Sequence, residues 1–235
     1  IRELGIDRVV VLRFDEVLRS MPAQTFAKTL VIGPFQPRVF VVGPDTRFGK
    51  DRQGDASLLR SLGKHHDFEV QELKTIHEDG QLVSSTGIRK CLASGDVQTP
   101  HKWCERPFYI QGHVVPGAGR GRSLGFPTAN IASSWPTMPA PGVYIVRCTW
   151  EGSPGFMGAA NLGSRPTFEQ ITTDKFVLEA HLLGEDIGDI YGKKVRVDFL
   201  KKLREEIRFP SKEALIAQIE KDIAATKRAQ EEGGP

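Results

Sequence analysis

The sequence predicts two folded parts of different class, an α/β unit followed by a small antiparallel β-barrel with a C-terminal helix. Up to about Val97, short apolar runs alternate with stretches of helical periodicity, which is typical of a doubly wound α/β unit. After Pro107, strand-like runs follow one another with Gly/Pro turns and without helices between them. Near the end, an apolar stripe at helical spacing predicts a helix that lies across the barrel, formed by Leu215, Ile216, Ile219 and Ile223.

The first part, from Ile1 to about Val97, contains three predicted strands and three predicted helices. The strands are predicted at residues 8–14, 39–42 and 68–73. Residues 8–14 form a continuous apolar run, which is typical of a buried parallel strand. The helices are predicted at residues 22–31, 56–62 and 86–94; Pro22 opens the first and Gly95 ends the last.

The second part is predicted to span residues 107–229, after a polar linker at 98–106 that contains Pro100. Its strands are predicted at residues 108–115, 142–150, 155–162, 176–183 and 194–203. Alternation of apolar residues is clear at Tyr144, Val146 and Cys148. Ser211 is the predicted N-cap of the C-terminal helix, and residues 230–235 are predicted to form a disordered tail.

The composition favours a cytoplasmic protein that binds small anions. The chain has 235 residues, of which 39% are hydrophobic, enough for two packed cores. A net charge of +3 permits nucleotide phosphates as ligands and does not require nucleic acid. Cys91, Cys104 and Cys148 lie in no C-x-x-C pair, which favours reduced thiols and argues against a zinc site. No apolar run approaches the ~18 residues that span a bilayer, so we expect no membrane segment; the oligomeric state is not indicated.

The stretch from Gly112 to Asn130, GHVVPGAGRGRSLGFPTAN, predicts a phosphate-binding loop. Its glycines allow backbone N–H groups to approach an anion, and two arginines add charge suited to phosphate oxygens. Thr128 and Asn130, two apart on an extended segment, would place oxygen ligands on one side, where hydrated Mg²⁺ could be held against the phosphates. On the glycines alone, a hairpin that merely turns the chain is an equally good interpretation.

Glu179 is the single carboxylate of the otherwise apolar strand FVLEAHLL. Because Phe176, Leu178 and Ala180 take the opposite face, Glu179 points outward, and the pattern fits a solvated residue as well as a functional one. His181 shares the face of Glu179, and we interpret it as a packing or hydrogen-bonding residue.

Two loops of the first part could also bind a nucleotide. Residues 43–54 follow the end of a predicted strand, which is where open α/β sheets place ligands. Residues 84–86, Ser-Ser-Thr, precede a helix whose first turn could take a phosphate, with Arg89 nearby. A simple N-cap is the alternative for these hydroxyls.

These motifs resemble those of known flavin enzymes. The Pro-Thr-Ala-Asn tetrad 127–130, with residues 141–144, 161–168 and 191–193, resembles riboflavin kinases, and the resemblance covers about 107–228. Residues 43–50 and Ser-Ser-Thr-Gly-Ile-Arg at 84–89 resemble the FMN adenylyltransferase module that precedes the kinase in bacterial FAD synthetases. The fold class is then a partial Rossmann-like nucleotidyltransferase domain followed by the barrel and helix.

The resemblance implies ATP-dependent phosphorylation of riboflavin to FMN, in a protein whose complete form would also adenylylate FMN to FAD. The H-x-G-H signature of such nucleotidyltransferases is absent from the sequence, so we expect an N-terminally incomplete module without adenylyltransferase activity. The alternatives are a non-catalytic flavin or nucleotide-binding module and a basic barrel for nucleic acid. The latter lacks exposed aromatic residues among its basic groups.

The resemblance also implies roles for individual residues. Glu179 would be the catalytic base, Arg204 would contact the flavin, and residues 161–168 would form a flap. The ATP site would consist of Gly117, Gly119, Arg120, Gly121, Arg122, Thr128 and Asn130, the last two also holding Mg²⁺. The adenylyltransferase site would include Asp45, Ser85, Thr86 and Arg89.

Overall fold

The computed structural model describes residues 4–117, 119–164, 176–184 and 187–233. The chain divides into two compact units between Leu82 and Val83. The boundary predicted from the sequence, near residue 97, therefore differs from the observed division into units.

The first unit is of the α/β class. Its helices are α1 (Glu16–Ser20), α2 (Ala23–Phe26), α3 (Gly33–Phe35) and α4 (Ala56–His66), and a π-helical stretch, Ala27–Ile32, joins α2 to α3. Its strands are β1 (Val39–Val42), β2 (Glu69–Glu72), β3 (His77–Glu78) and β4 (Gln81–Leu82). Strands β1 and β2 pair in parallel, and β3 and β4 form a short hairpin. The core of this unit consists of Ala27, Ile32, Val42, Leu59, Leu62 and Phe68.

The prediction of a first strand at residues 8–14 was wrong. These residues belong to no helix or strand, and their apolar side chains are exposed, Val11 by 88% and Phe14 by 73%. An apolar run becomes a strand only where a neighbour takes its backbone hydrogen bonds. Among the described residues, β1 and β2 pair only with each other, so this run has no such neighbour.

The other predicted elements of the first unit are confirmed, and its helices are longer than predicted. Pro22 is the N-cap of α2, and helical structure then continues to Phe35. Helix α4 begins after Asp55, whose carboxylate accepts a hydrogen bond from the Leu58 N–H at 2.9 Å, and it ends where Asp67 adopts a left-handed conformation.

The second unit contains the predicted barrel and C-terminal helix. Its helices are α5 (Ser85–Ser94), α6 (Gln98–Cys104), α7 (Arg120–Ser123) and α8 (Lys212–Glu231). Its strands are β5 (Phe108–Val115), β6 (Ala129–Ala132), β7 (Gly142–Thr149), β8 (Phe156–Ser164), β9 (Phe176–Leu182) and β10 (Lys194–Arg204). These six strands close in the order β10-β5-β6-β9-β8-β7, and every neighbouring pair is antiparallel. The expectation that no helix interrupts the strands was wrong, because α7 lies between β5 and β6.

The barrel interior is filled with side chains from alternate positions of its strands. Tyr144, Val146 and Cys148 of β7 point inward and are at most 1% exposed, as their alternation predicted. The Tyr144 ring packs edge-on against Phe199, with ring centroids 5.3 Å apart. Part of the outer face is covered as well, because Ile145 and Leu200 pack with Ala229 of α8.

Helices α5 and α6 pack against the barrel. Leu92 and Val97 are each 1% exposed within the barrel core, and the Ala140 N–H donates to the Leu92 carbonyl at 2.8 Å. The range predicted as a linker thus contains α6. Pro100 fits in its first turn, where a missing N–H needs no partner. At the other end, α8 continues to Glu231, past Gln230 where the tail was predicted to begin.

Candidate active site

A row of outward-facing residues crosses the barrel at Glu179. Asn130 pairs with Glu179, Glu179 with Asn161, Asn161 with Val143, and Val143 with Arg204. Directly paired residues of a sheet project to the same face. These five residues, which we call the outer row, therefore stand side by side on adjacent strands. The neighbours of Glu179 in β9, Leu178 and Ala180, are buried inside the barrel, so the outer row faces outward.

The carboxylate of Glu179 is partly buried and available for chemistry. It lines a cavity of about 320 Å³, together with Asn161, Arg204 and Glu206. Within the described part of the chain, no hydrogen bond or ion pair involves this carboxylate. A carboxylate with unused lone pairs at a cavity wall can accept a proton from a bound hydroxyl.

Glycines of the predicted phosphate loop allow the backbone to approach the Thr-Ala-Asn segment closely. A Cβ atom on Gly117 would lie 2.0 Å from Nδ2 of Asn130, and one on Gly121 would lie 2.4 Å from the Phe126 carbonyl oxygen and 3.1 Å from Oγ1 of Thr128. Only glycine fits at either position without movement of the neighbours. The loop therefore seats the side chains of Thr128 and Asn130.

The two arginines of this loop belong to α7. The residue before this helix, Gly119, adopts a left-handed conformation with φ of 69°. Arg122 is exposed and lines a second cavity. The side chain of Arg120 lies outside the described residues.

His181 fixes the backbone of the same segment. Its Nδ1 lies 2.8 Å from the Pro127 carbonyl oxygen, and its ring meets Phe126 edge-on with centroids 5.8 Å apart. A carbonyl oxygen can only accept, so Nδ1 carries the hydrogen of this bond. The interpretation of His181 as a hydrogen-bonding residue is confirmed.

Two cavities meet at Thr128. The larger, of about 860 Å³, is lined by Arg122, Lys227 and Tyr191, and by apolar side chains that include Val114, Leu182, Ile187 and Ile190. The smaller is the cavity at Glu179. Phe126, Thr128, His181 and Ile223 line both. The arrangement offers the cations of Arg122 and Lys227 in one cavity and the carboxylate of Glu179 in the other, with Thr128 in the lining of both.

Arg204 is bound to the C-terminal helix. Its Nη2 lies 2.7 Å from Oδ2 of Asp222, its Nε donates to the same carboxylate at 3.1 and 3.2 Å, and its Nη1 donates to the Glu205 carbonyl at 3.0 Å. Gln218 also donates to Asp222 at 3.0 Å. The other two of its five guanidinium N–H groups have no partner among the described residues and can bind a ligand in the smaller cavity.

Sequence reasoning missed Asp222. The predicted stripe of α8 is only partly buried and lines the smaller cavity through Leu215 and Ile219, whereas Asp222 and Thr226 are 7% and 0% exposed. Gln218, Asp222 and Thr226 recur every four residues beside the apolar stripe, and this spacing was the available signal.

Thr128 and Asn130 offer oxygen ligands that suit Mg²⁺. No cluster of three or more His, Cys, Asp or Glu side chains that could hold a metal occurs among the described residues. Mg²⁺ commonly uses one or two protein oxygens and completes its shell with phosphates and water. The hydroxyl and amide oxygens of this pair, seated by Gly121 and Gly117, fit that pattern.

The residues expected in the adenylyltransferase site are exposed and fall in both units. Asp45 follows the carboxyl end of β1 in the first unit, as predicted. In the second unit Ser84, not Ser85 or Thr86, caps α5, accepting a hydrogen bond from the Gly87 N–H at 3.1 Å. Ser85, Thr86 and Arg89 are exposed on α5. Of the expected flap, residues 161–164 end β8, and 165–168 lie outside the described residues.

Among the described residues, no helix has the length and apolar character needed to cross a membrane.

Comparisons with known proteins give a consistent result over most of the chain. A family model described as riboflavin kinase matches residues 104–230, and one described as FAD synthetase matches residues 1–87. The bifunctional riboflavin kinase/FMN adenylyltransferase of Escherichia coli K12 is 38% identical over 94% of this chain and 69% of its own length. The enzyme of the same description from Pseudomonas fluorescens is 40% identical over 95% of this chain and 70% of its own length.

A solved structure shares the fold of this chain. A Streptococcus pneumoniae protein described as a macrolide-efflux protein matches with a TM-score of 0.82 and 30% identity, over 96% of this chain and 71% of that one. Barrel, glycine loop and matched relatives agree, and the chain belongs to the family of bifunctional riboflavin kinases/FMN adenylyltransferases.

Proposed function

We propose that this chain transfers the γ-phosphoryl group of ATP to the 5′-hydroxyl of riboflavin, producing FMN and ADP. One observation carries the assignment of the site: Glu179, a carboxylate without a partner among the described residues, lines a cavity that shares Thr128 with the larger cavity, which contains Arg122 and Lys227. Phosphoryl transfer to an alcohol needs positioned phosphates and a nearby proton acceptor, and the two cavities supply one each.

ATP occupies the larger cavity in this proposal. Its apolar wall, with Tyr191 and Ile187, suits an adenine base, and Arg122 and Lys227 supply positive charge for the phosphates. The phosphates extend toward Thr128, which lines both cavities, and there the glycine loop can approach them through Gly121, which lines the smaller cavity, and through the neighbouring Gly117 and Gly119.

Riboflavin occupies the smaller cavity. Phe209, Leu215 and Ile219 offer apolar surface to the flavin ring system, and Arg204 keeps two N–H groups for its polar edge or for the new phosphate. The ribityl chain then extends toward Glu179 and Thr128.

The reaction follows from this placement. Glu179 accepts the proton of the 5′-hydroxyl while the oxygen of that hydroxyl attacks the γ-phosphorus of ATP. The bond between the γ-phosphorus and the β–γ bridging oxygen breaks, and ADP leaves with that oxygen. Mg²⁺ held by Thr128 and Asn130 would neutralise charge on the phosphate oxygens. Arg122 and Lys227 reinforce that stabilisation at the β- and γ-phosphates.

We also propose that this polypeptide does not adenylylate FMN. Charge on a transferring phosphate needs donors such as the two histidines of H-x-G-H, and that signature is absent from the sequence. Asp45, Ser85, Thr86 and Arg89 stay candidates for nucleotide contacts. The three free cysteines support the cytoplasm as the proposed compartment.

Incubation with riboflavin and ATP, with and without Mg²⁺, tests both proposals when the flavins are separated by chromatography. Mg²⁺-dependent FMN without FAD is the expected result. FAD in addition would contradict the second proposal. Tight flavin or nucleotide binding without FMN or ADP would replace the kinase by a non-catalytic binding module.

A further inference from the structure

The chain contains two asparagines, Asn130 and Asn161, and the barrel places one on each side of Glu179. Asn130 lies on β6, next to the glycine loop, and its amide packs against Gly117. Asn161 lies on β8 and lines the smaller cavity, which Asn130 does not. The proposed function uses Asn130 and leaves Asn161 without a role.

The amide of Asn161 has one hydrogen-bond partner among the described residues, the carboxylate of Glu206. Its Nδ2 lies 3.3 Å from Oε1 of Glu206. Because a carboxylate oxygen accepts, the nitrogen of the amide faces Glu206. A Cβ atom on Gly163 would lie 2.8 Å from the same oxygen, so the glycine leaves room for Glu206 to reach Asn161. No other described residue bonds to this amide, so its oxygen and one N–H are available to a ligand.

The free groups of the Asn161 amide are placed where they can bind the part of the substrate next to the reacting hydroxyl. Side chains of directly paired residues in a sheet stand about 4.5–5.5 Å apart at Cβ. Two polar groups at that separation can hold successive hydroxyls of one extended chain. Asn130 and the glycine loop occupy the phosphate side of Glu179, so the side of Asn161 is the one toward which the rest of the alcohol extends.

We propose that Asn161 binds the 4′-hydroxyl of the ribityl chain and thereby directs the 5′-hydroxyl to Glu179. This assignment rests on the proposed riboflavin kinase activity. The 4′-hydroxyl both donates and accepts, and the free amide oxygen and N–H can satisfy both functions. A flavin without this hydroxyl leaves the amide unpaired, so Asn161 contributes to substrate selection.

The test combines a substrate deletion with a residue deletion. Steady-state kcat/KM is measured for riboflavin and for 4′-deoxyriboflavin, with the wild-type chain and with Asn161→Ala. A single hydrogen bond between neutral groups predicts a loss of about fivefold to tenfold for 4′-deoxyriboflavin with the wild-type chain. Asn161→Ala should lower kcat/KM for riboflavin by about the same factor. Its kcat/KM values for riboflavin and 4′-deoxyriboflavin should then differ by no more than about twofold.

The matched control is Asn130→Ala. This variant removes an amide on the phosphate side, so it should lower overall activity while retaining the preference for riboflavin over 4′-deoxyriboflavin. Thermal unfolding of all three proteins separates loss of fold from loss of contact. A preference that Asn161→Ala retains in full, or a wild-type chain that does not distinguish the two flavins, would overturn the assignment. A wild-type chain that makes no FMN from riboflavin would instead overturn the proposed function.

Discussion

Glu179 owes its place to the two-residue repeat of strand β9. Leu178, Ala180 and Leu182 fill the barrel, which leaves Glu179 and His181 on the outer face. The sequence alone could predict this direction, because alternation determines which face a strand residue takes. It could not predict that Asn161 and Arg204 share the outer row, since that depends on the register of three more strand pairs.

Replacement of the proposed base gives the first prediction. Glu179→Gln keeps the size of the side chain and removes its ability to accept a proton, so turnover should fall about 10²- to 10⁴-fold while ATP affinity stays near normal. Product formation in single turnover and nucleotide binding by calorimetry measure the two effects. Glu220→Gln, an exposed position on α8, is the control. Turnover of Glu179→Gln close to that of the control would remove Glu179 from the mechanism.

Among the secondary-structure elements, the segment from β5 to β6 shows most clearly what a sequence motif can and cannot predict. The glycines and the Thr-Ala-Asn segment predicted a phosphate loop and oxygen ligands; Gly121 and Thr128 lie at cavity walls, and Asn130 packs against Gly117 beside them. The short elements α7 and β6, of four residues each, lack enough periodicity to be recognised. The contact of Gly121 with Phe126 and Thr128 arises only when these elements fold together.

A methyl group on Gly121 should disturb the loop. The added Cβ would lie 2.4 Å from the Phe126 carbonyl, so the segment that carries Thr128 must move. We expect Gly121→Ala to lower kcat/KM for ATP about tenfold to hundredfold, because displaced groups no longer match the transition state. Gly43→Ala, where the nearest atom is 3.8 Å away, is the matched control. Equal kinetics for the two variants would contradict the proposed packing role.

The attachment of α8 through Asp222 gives a prediction about stability. The Arg204–Asp222 pair is nearly buried, with side chains 17% and 9% exposed, so Asp222→Ala leaves an unpaired charge and should reduce the free energy of unfolding by about 3 kcal/mol. The exposed Arg60–Glu72 pair provides the comparison, and Glu72→Ala should cost below about 1 kcal/mol. Denaturant titration measures both. If Asp222→Ala cost no more than Glu72→Ala, the pair would not be what holds α8 in place.

For the whole molecule, the sequence showed the change from alternating strands and helices to consecutive antiparallel strands. It did not show where the two units divide. Strand, helix and turn patterns predicted both fold classes, which the structure contains. The helix at residues 85–94 reads as the last element of an α/β unit because it follows one in the sequence. Its place with the barrel depends on Leu92 and Val97, and their burial against residues distant along the chain leaves no local signal.

Two fragments should therefore differ in stability. A fragment of residues 83–235 keeps Leu92 and Val97, whereas one of residues 98–235 lacks both. Loss of two fully buried side chains should cost several kcal/mol, about 2–5 for a leucine alone. We expect the longer fragment to fold and phosphorylate riboflavin, and the shorter one to unfold at a clearly lower temperature. Equal unfolding temperatures of the two fragments in calorimetry would instead support a domain boundary near residue 97.

The outer row also bears on how this scaffold can evolve. Its polar members lie on the outside of a barrel whose interior is closed by Tyr144, Val146 and Phe199. Substitutions on an exposed face usually change stability by less than about 0.5 kcal/mol. Asn161 is exposed, and Asn130 and Glu179 are only partly buried, so all three lie outside the packed interior and can be exchanged with less loss of folded protein than a core residue. A barrel with its chemistry on the outside can acquire new acceptor alcohols while its core stays under unchanged selection.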